Sequence, residues 1–194
     1  MKTKKDIQYV DLFKYGFIIE PRYFFYSWSN SSKIFGRKSA VEKLVEAKKL
    51  LPKGYNFKIW DCLRERKTNI LMQQSFKKRL KLLYPNLSNA NRLKLLVWFC
   101  GSVPTPLRVV GLGTHRNGGS FDLTIINKKG EELYMGTGFD DLTEKAALDF
   151  FENKSIRTLL EDEAFKNRKL LKKVMNKVGF INYAPEWWHW SYNK

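Results

Sequence analysis

The chain has two histidines, His115 and His189, and both stand close in sequence to acidic residues. His115 lies in Gly113-Thr114-His115-Arg116-Asn117-Gly118-Gly119-Ser120-Phe121-Asp122, and His189 in Glu186-Trp187-Trp188-His189-Trp190. Catalytic zinc needs about three protein donors of nitrogen or oxygen type and one open position for water. His115, Asp122 and His189 could supply the three, for one Zn2+ per chain. Glu186 is then the candidate base that takes the water's proton. The chemistry that follows is metal-assisted hydrolysis of an amide or similar bond.

Each of these residues also has a plainer reading. Asp122 sits among Phe121, Leu123, Thr124 and Ile125. An ionised carboxylate in such an apolar strand is costly unless it is paired or holds metal. The alternative is that Asp122 points outward on a wet face. In the second segment two titratable groups are embedded among three tryptophans, which would raise the pKa of Glu186 by desolvation. Positions three apart face opposite sides of an ideal strand, so a turn or bulge is needed to bring Glu186 beside His189. The alternative is a core histidine with a surface glutamate. A positive group near the developing oxyanion would lower the barrier further. Arg64 and Arg66 follow a strand that ends at Asp61 and are placed for that task, or are solvated arginines at a helix start.

These residues need a scaffold, and the composition supports one. The 194 residues carry 43% apolar residues, enough for a sizeable core in one domain spanning 1–194. The formal charge of +17, from 36 Lys and Arg against 19 Asp and Glu, favours anionic partners or reflects solvated surface lysines. Cys62 and Cys100 are too few for a disulfide framework and lie in apolar surroundings, so buried free thiols are expected. Asp6, Asp11 and Lys14 interrupt the segment after the basic start, and no apolar run spans a bilayer. The expectation is a soluble cytoplasmic protein without membrane insertion. His-Glu-x-x-His, phosphate-loop and Gly-x-Ser-x-Gly motifs are absent.

Along the chain, Val10–Leu12 and Gly16–Ile19 suggest short extended segments, and residues 27 to 36 a loop. Ser39-Ala40-Val41-Glu42 suggests a capping box at the head of a helix that ends before Pro52-Lys53-Gly54. Tyr55, Phe57 and Ile59 alternate as a strand. Helices are expected over about Lys67 to Leu83 and Asn89 to Phe99, the latter capped by Ser88 or Asn89. Val103-Pro104-Thr105-Pro106 suggests an extended connection, and Gly111 to Gly119 a loop with unusual backbone angles. Phe121 to Ile126 is a strand, with a turn at Asn127-Lys128-Lys129-Gly130 into Glu131 to Met135. Helices follow near Thr143 to Phe151 and Asp162 to Val178, with Gly179 as the residue that ends the second. The stretch Lys166 to Lys177 has the pattern of an amphipathic helix with a basic wet face. Phe180 to Tyr183 and Glu186 to Trp190 close the chain as strands. Helices and strands come in segregated runs, which predicts α+β with a central antiparallel sheet flanked by helices and the zinc site in a cleft.

The pattern of these motifs resembles the zinc D-alanyl-D-alanine dipeptidase family, of the vancomycin-resistance type. That family carries Ser-x-His-x-x-Gly-x-Ala-x-Asp-Leu-Thr and, near the C-terminus, Glu-x-x-His. Here the first motif runs from Gly113 to Thr124 and the second from Glu186 to His189. Met135-Gly136-Thr137-Gly138-Phe139-Asp140 resembles the family's Met-Gly-Thr-x-Phe-Asp, and Asp61-Cys62-Leu63-Arg64-Glu65 its Asp-x-Tyr-Arg-Pro. The motifs share the family's order and spacing over about residues 35 to 190. The resemblance implies zinc on His115, Asp122 and His189, Glu186 as general base, and Arg64 as the arginine that stabilises the tetrahedral intermediate or grips substrate. It implies a small D-amino-acid dipeptide such as D-Ala-D-Ala as substrate, and no nucleic acid. Leu63 and Glu65 depart from the family's Tyr and Pro, Gly113 from its serine, and Ser120 from its alanine. The wider family includes peptidoglycan D,D-carboxypeptidases and endopeptidases, which the +17 charge would suit on an anionic wall. A third class, a basic protein that binds nucleic acid or another anionic polymer without catalysis, has charge alone in its favour.

Overall fold

Strand β5 (Ser120–Ile126) is buried along its whole length and organises the sheet. The structure, a computed structural model, describes residues 7–100 and 114–193. The expected extended connection at 103–106, and the glycine stretch as far as Gly113, lie outside the described residues. On one side β5 pairs antiparallel with β4 (Asn56–Asp61), and on the other with β7 (His189–Ser191). β6 (Ile181–Asn182) adds antiparallel to β7, and β2 (Ile18–Ile19) adds to β4. The order is β2-β4-β5-β7-β6. β1 (Tyr9–Asp11) and β3 (Phe35–Arg37) form a separate antiparallel pair. The α+β reading holds. The sheet is mixed, however, because the two-residue β2 pairs parallel to β4.

Among the described residues five α-helices accompany these strands: α1 (Arg22–Phe25), α2 (Lys38–Lys49), α3 (Arg66–Leu83), α4 (Asn89–Cys100) and α5 (Leu159–Lys177). Ala40, Val41, Leu44 and Ala47 of α2 share one core with Leu171, Val174 and Met175 of α5 and with Phe57, Ile59, Phe121, Leu123 and Ile125 of the sheet. Residues two apart on a strand share a face. The opposite face of β5 therefore carries Ser120, Asp122 and Thr124, and these too are buried. A second apolar cluster joins Met72, Phe76 and Leu80 of α3 to Leu96 and Phe99 of α4, with Tyr23 and Leu142. α5 has the expected amphipathic form, although one of its basic residues, Arg168, is buried.

Several local expectations are corrected. Ser39 is no cap, because α2 begins at Lys38 with Arg37 before it. Arg37 N–H donates to Gly118 O and Lys38 N–H to Gln8 O, so neighbouring backbone serves that helix start. A capping box does stand at Thr158 and Glu161, and α5 begins at Leu159, three residues ahead of the expected start. The expected helix over Thr143 to Phe151 is a 3-10 turn at Glu144–Ala146 followed by turns. Its carbonyls are engaged elsewhere: Lys145 O and Ala147 O accept from Arg168, and Ala146 O accepts from Trp187 N–H. The arm after the turn at Asn127 makes one isolated bridge, Ile126 to Glu132, and Arg168 takes Met135 O further along it. Glu186 is irregular and Trp187 and Trp188 are turn, rather than strand. Cys62 is a buried thiol as expected, whereas Cys100 is only partly buried.

Candidate metal centre

A break in strand register builds the floor of the site. Ile59 lies opposite Leu123, but Asp61 lies opposite Asp122, so β4 has one extra residue at Trp60. Such a bulge turns the following side chain to the other face. Asp61 thereby leaves the apolar face of Phe57 and Ile59 and joins Asp122. Like charges directly opposite on paired strands repel, and the intervening cation is Arg64. Its Nε donates to Asp61 Oδ2 and its Nη2 to Asp122 Oδ2, each at 2.8 Å. The guanidinium also lies over the Tyr23 ring at 4.8 Å. Backbone anchors fix the segment despite Leu63 and Glu65: Leu63 N–H donates to Phe35 O and Arg64 N–H to His115 O. Arg64 is buried between the carboxylates, whereas Arg66 opens α3.

His115 stands in a 3-10 turn, His115–Asn117, held by reciprocal bonds between Thr114 and Asn117. Gly118 ends that turn at φ +65°, and a Cβ there would lie 2.7 Å from Arg37 N. Only glycine allows this left-handed angle and close approach together. His189 opens β7 directly opposite Asp122. Before it the chain makes the turn that the Glu186–His189 spacing requires. Glu186 N–H donates to Tyr183 O and His189 N–H to Glu186 O. Asn182 Nδ2 donates to both Glu186 O and His189 O. Glu186 Oε2 comes within 3.7 Å of His189 Nδ1. Trp187, Trp188 and Trp190 are buried beneath this turn, and Trp187 Nε1 donates to Thr137 Oγ1.

Three donors converge. His115 Nε2 lies 3.1 Å from His189 Nδ1 and 3.3 Å from Asp122 Oδ2, and His189 Nδ1 lies 3.1 Å from Asp122 Oδ1. Ligands of a tetrahedral zinc, each about 2.0–2.1 Å from the ion, stand about 3.3 Å apart; here the two imidazoles approach different oxygens of Asp122, and one donor atom from each residue lies within 4.8 Å of the others. Both imidazoles are oriented from behind. His115 Nδ1 donates to Cys62 O at 2.7 Å, which leaves Nε2 for a metal. His189 Nε2 lies 3.2 Å from Ser191 Oγ, which leaves Nδ1. Asp122 Oδ1 is buried without an aligned hydrogen-bond donor among the described residues. Lone pairs that face one another this closely need a cation or a proton between them, so the donor set fits a divalent metal.

The electrostatics agree. Burial and Arg64 oppose a charge on His115, yet the carboxylates of Asp122 and Asp61 together lift it to about 9. Burial opposes ionisation of Asp122, but the two imidazoles hold its carboxyl well below the usual range. Burial, then the charges of Asp122 and Asp140, pushes Glu186 well above its ordinary value. Burial, then Asp122, raises Asp140 to about 7.

The structure thus brings His115, Asp122, His189, Glu186 and Arg64 into one place. Sequence reasoning gave no role to Asp61, which bridges Arg64 and His115. It also missed Tyr23, and Asp140, whose Oδ1 accepts from the Tyr23 hydroxyl at 3.3 Å. The usable signals were an aspartate three residues before Arg64 and the Met135-to-Asp140 stretch.

Comparison with known proteins gives a consistent set of matches. The sequence pattern of the D-ala-D-ala dipeptidase family, peptidase M15, matches residues 26–194. A D-alanyl-D-alanine dipeptidase of Enterococcus faecium is 28% identical over 166 residues, covering 82% of this chain and 73% of that protein. One of Enterococcus faecalis is 26% identical over 167 residues, covering 82% and 74%. One of Escherichia coli is 32% identical over 91 residues, covering 45% and 44%. Among the described residues no helix is long and apolar enough to cross a membrane.

Proposed function

The chain belongs to the D-Ala-D-Ala dipeptidase family of metallopeptidases, and on that premise we propose that it hydrolyses D-Ala-D-Ala or a closely related dipeptide with one Zn2+ held by His115, Asp122 and His189. The observation that carries this reading is the convergence of those three donors beside the buried carboxyl of Glu186. The whole chain is taken as one peptidase domain. Zinc bound there would supply a Lewis acid for the scissile carbonyl and for the attacking water. Glu186 takes the proton of that water and delivers it to the leaving amine. The buried tryptophans exclude solvent beneath it, which keeps its proton affinity high enough for a base near neutral pH. Arg64 sets positive charge where the carbonyl oxygen gains negative charge. Its bonds to Asp61 and Asp122 also hold the ligand carboxylate in place.

Zinc-loaded protein is expected to release D-Ala from D-Ala-D-Ala, and a chelator to abolish the release. His189→Ala is expected to lose the metal, read as zinc per chain, along with turnover. No release from protein that holds one zinc would keep the site and discard the dipeptide. Release of D-Ala from a pentapeptide would then favour a peptidoglycan D,D-carboxypeptidase, and cleavage within cross-linked wall peptides an endopeptidase. Protein that binds no zinc but binds DNA in a salt-sensitive way would favour the non-catalytic class.

A further inference from the structure

Behind the paired ligands lies a pair of serines in the same register. Asp122 faces His189 across β5 and β7, and two residues along each strand Ser120 faces Ser191. Strand geometry puts both pairs on one face. Their polar atoms form a chain, with His189 Nε2 3.2 Å from Ser191 Oγ and Ser191 Oγ 2.7 Å from Ser120 Oγ. Ser120 is fully buried.

The polarity of that chain decides where the proton of His189 resides. A hydroxyl donates one hydrogen bond and accepts others. If Ser191 gives its proton to Ser120, it accepts from His189 Nε2–H and leaves Nδ1 as a lone pair. If Ser191 gives its proton to Nε2 instead, the ring proton moves to Nδ1, into the space among the three donors. One observation favours the first arrangement. Asp122 Oδ1 is not aligned to accept from Nδ1, although only 3.1 Å away.

We propose that Ser191, backed by Ser120, is a positioning residue that fixes the tautomer and ring orientation of His189 and so presents Nδ1 to the metal. The assignment rests on the metal reading above. It concerns metal affinity first and turnover only through it.

The test measures Zn2+ dissociation constants of the metal-free wild type, Ser191→Ala, Ser191→Thr and Ser120→Ala by competition with a chromophoric chelator. Thermal melts of the metal-free proteins check folding. Ser191→Ala is expected to bind zinc about 10–100-fold more weakly, with Ser191→Thr close to wild type and Ser120→Ala between the two. Imidazole 15N spectra are expected to show a hydrogen-bonded Nε2–H on His189 in the wild type that is lost in Ser191→Ala, a signal that a merely structural role would not move. Zinc constants for Ser191→Ala and Ser120→Ala equal to wild type overturn the assignment while leaving the metal reading intact. A wild type that binds no zinc overturns both. Should Ser191→Ala fail to fold, Ser120→Ala and Ser191→Thr decide by the same comparison.

Discussion

Glu186→Ala is expected to keep its zinc and to lose about 10²–10⁴-fold in kcat. Glu186 stands outside the triangle of His115, Asp122 and His189, with Oε2 3.7 Å from His189 Nδ1. Its backbone is held independently of its side chain. Tyr183 O takes its N–H, and Asn182 Nδ2 donates to its carbonyl. Truncation therefore leaves the turn and the His189 ring in place. The carboxyl is raised in pKa first by burial and then by Asp122 and Asp140, so removing it relieves an electrostatic load. The variant should melt at or above the wild-type temperature, as often happens when a strained catalytic group is removed. Glu186→Gln keeps the volume and removes the base, and it should match the alanine variant in turnover. The measurement is kcat on D-Ala-D-Ala beside zinc per chain. Wild-type turnover would remove Glu186 as base, and loss of zinc would recast it as a ligand.

A larger effect on stability is expected from Arg64→Met. Asp61 and Asp122 are paired across the bulge, both are buried, and Arg64 reaches each with a separate nitrogen. Methionine fills much of the volume but leaves two buried carboxylates without their cation. Removing one member of a buried charged set costs about 3–5 kcal/mol. Turnover is expected to fall about 10²–10³-fold, the loss typical of one group that stabilises an oxyanion. Arg64→Lys should recover little, because an ammonium lacks the planar fork that meets two carboxylates. The double variant Asp61→Asn with Arg64→Met separates the two effects: it should regain much of the stability and none of the activity. Denaturant unfolding of all four proteins of this cycle measures the coupling. An Arg64→Met protein as stable as the wild type would end the account of Arg64 as the bridge between the carboxylates.

What was legible in the sequence was the chemistry that scarcity exposes. With two histidines in the chain, their neighbours Asp122 and Glu186 could be singled out by spacing alone. Arg64 was legible as a candidate, but not its burial between two carboxylates. That depends on the bulge at Trp60, whereas the alternation of Tyr55, Phe57 and Ile59 carries Asp61 onto the apolar face. The strand over Phe121 to Ile126 was found, but both its faces are buried. A tertiary covering of that kind leaves no mark in local periodicity. The missed turn at Glu144–Ala146 has the same origin. A helical composition there yields to Arg168, nineteen-twentieths of whose surface or more is covered and which binds three carbonyls from a distant helix. The two-residue β2 is too short to announce its parallel pairing with β4.

The strand order also bears on when the proposed metal site forms as the chain folds. β7 lies between β5 and β6, so His189 reaches Asp122 only when a segment 67 positions further along the chain docks against β5. Closing so long a loop costs entropy before any contact repays it, and topologies of this kind fold slowly. Before that docking, His115 and Asp122 offer two donors on a mobile chain. The third arrives only with that pairing. A metal that needs all three stabilises the native state and leaves the folding barrier nearly untouched. Zinc should therefore slow unfolding in proportion to its affinity while refolding proceeds at the metal-free rate. Once loaded, the chain would be protected chiefly by the slowness of its own opening.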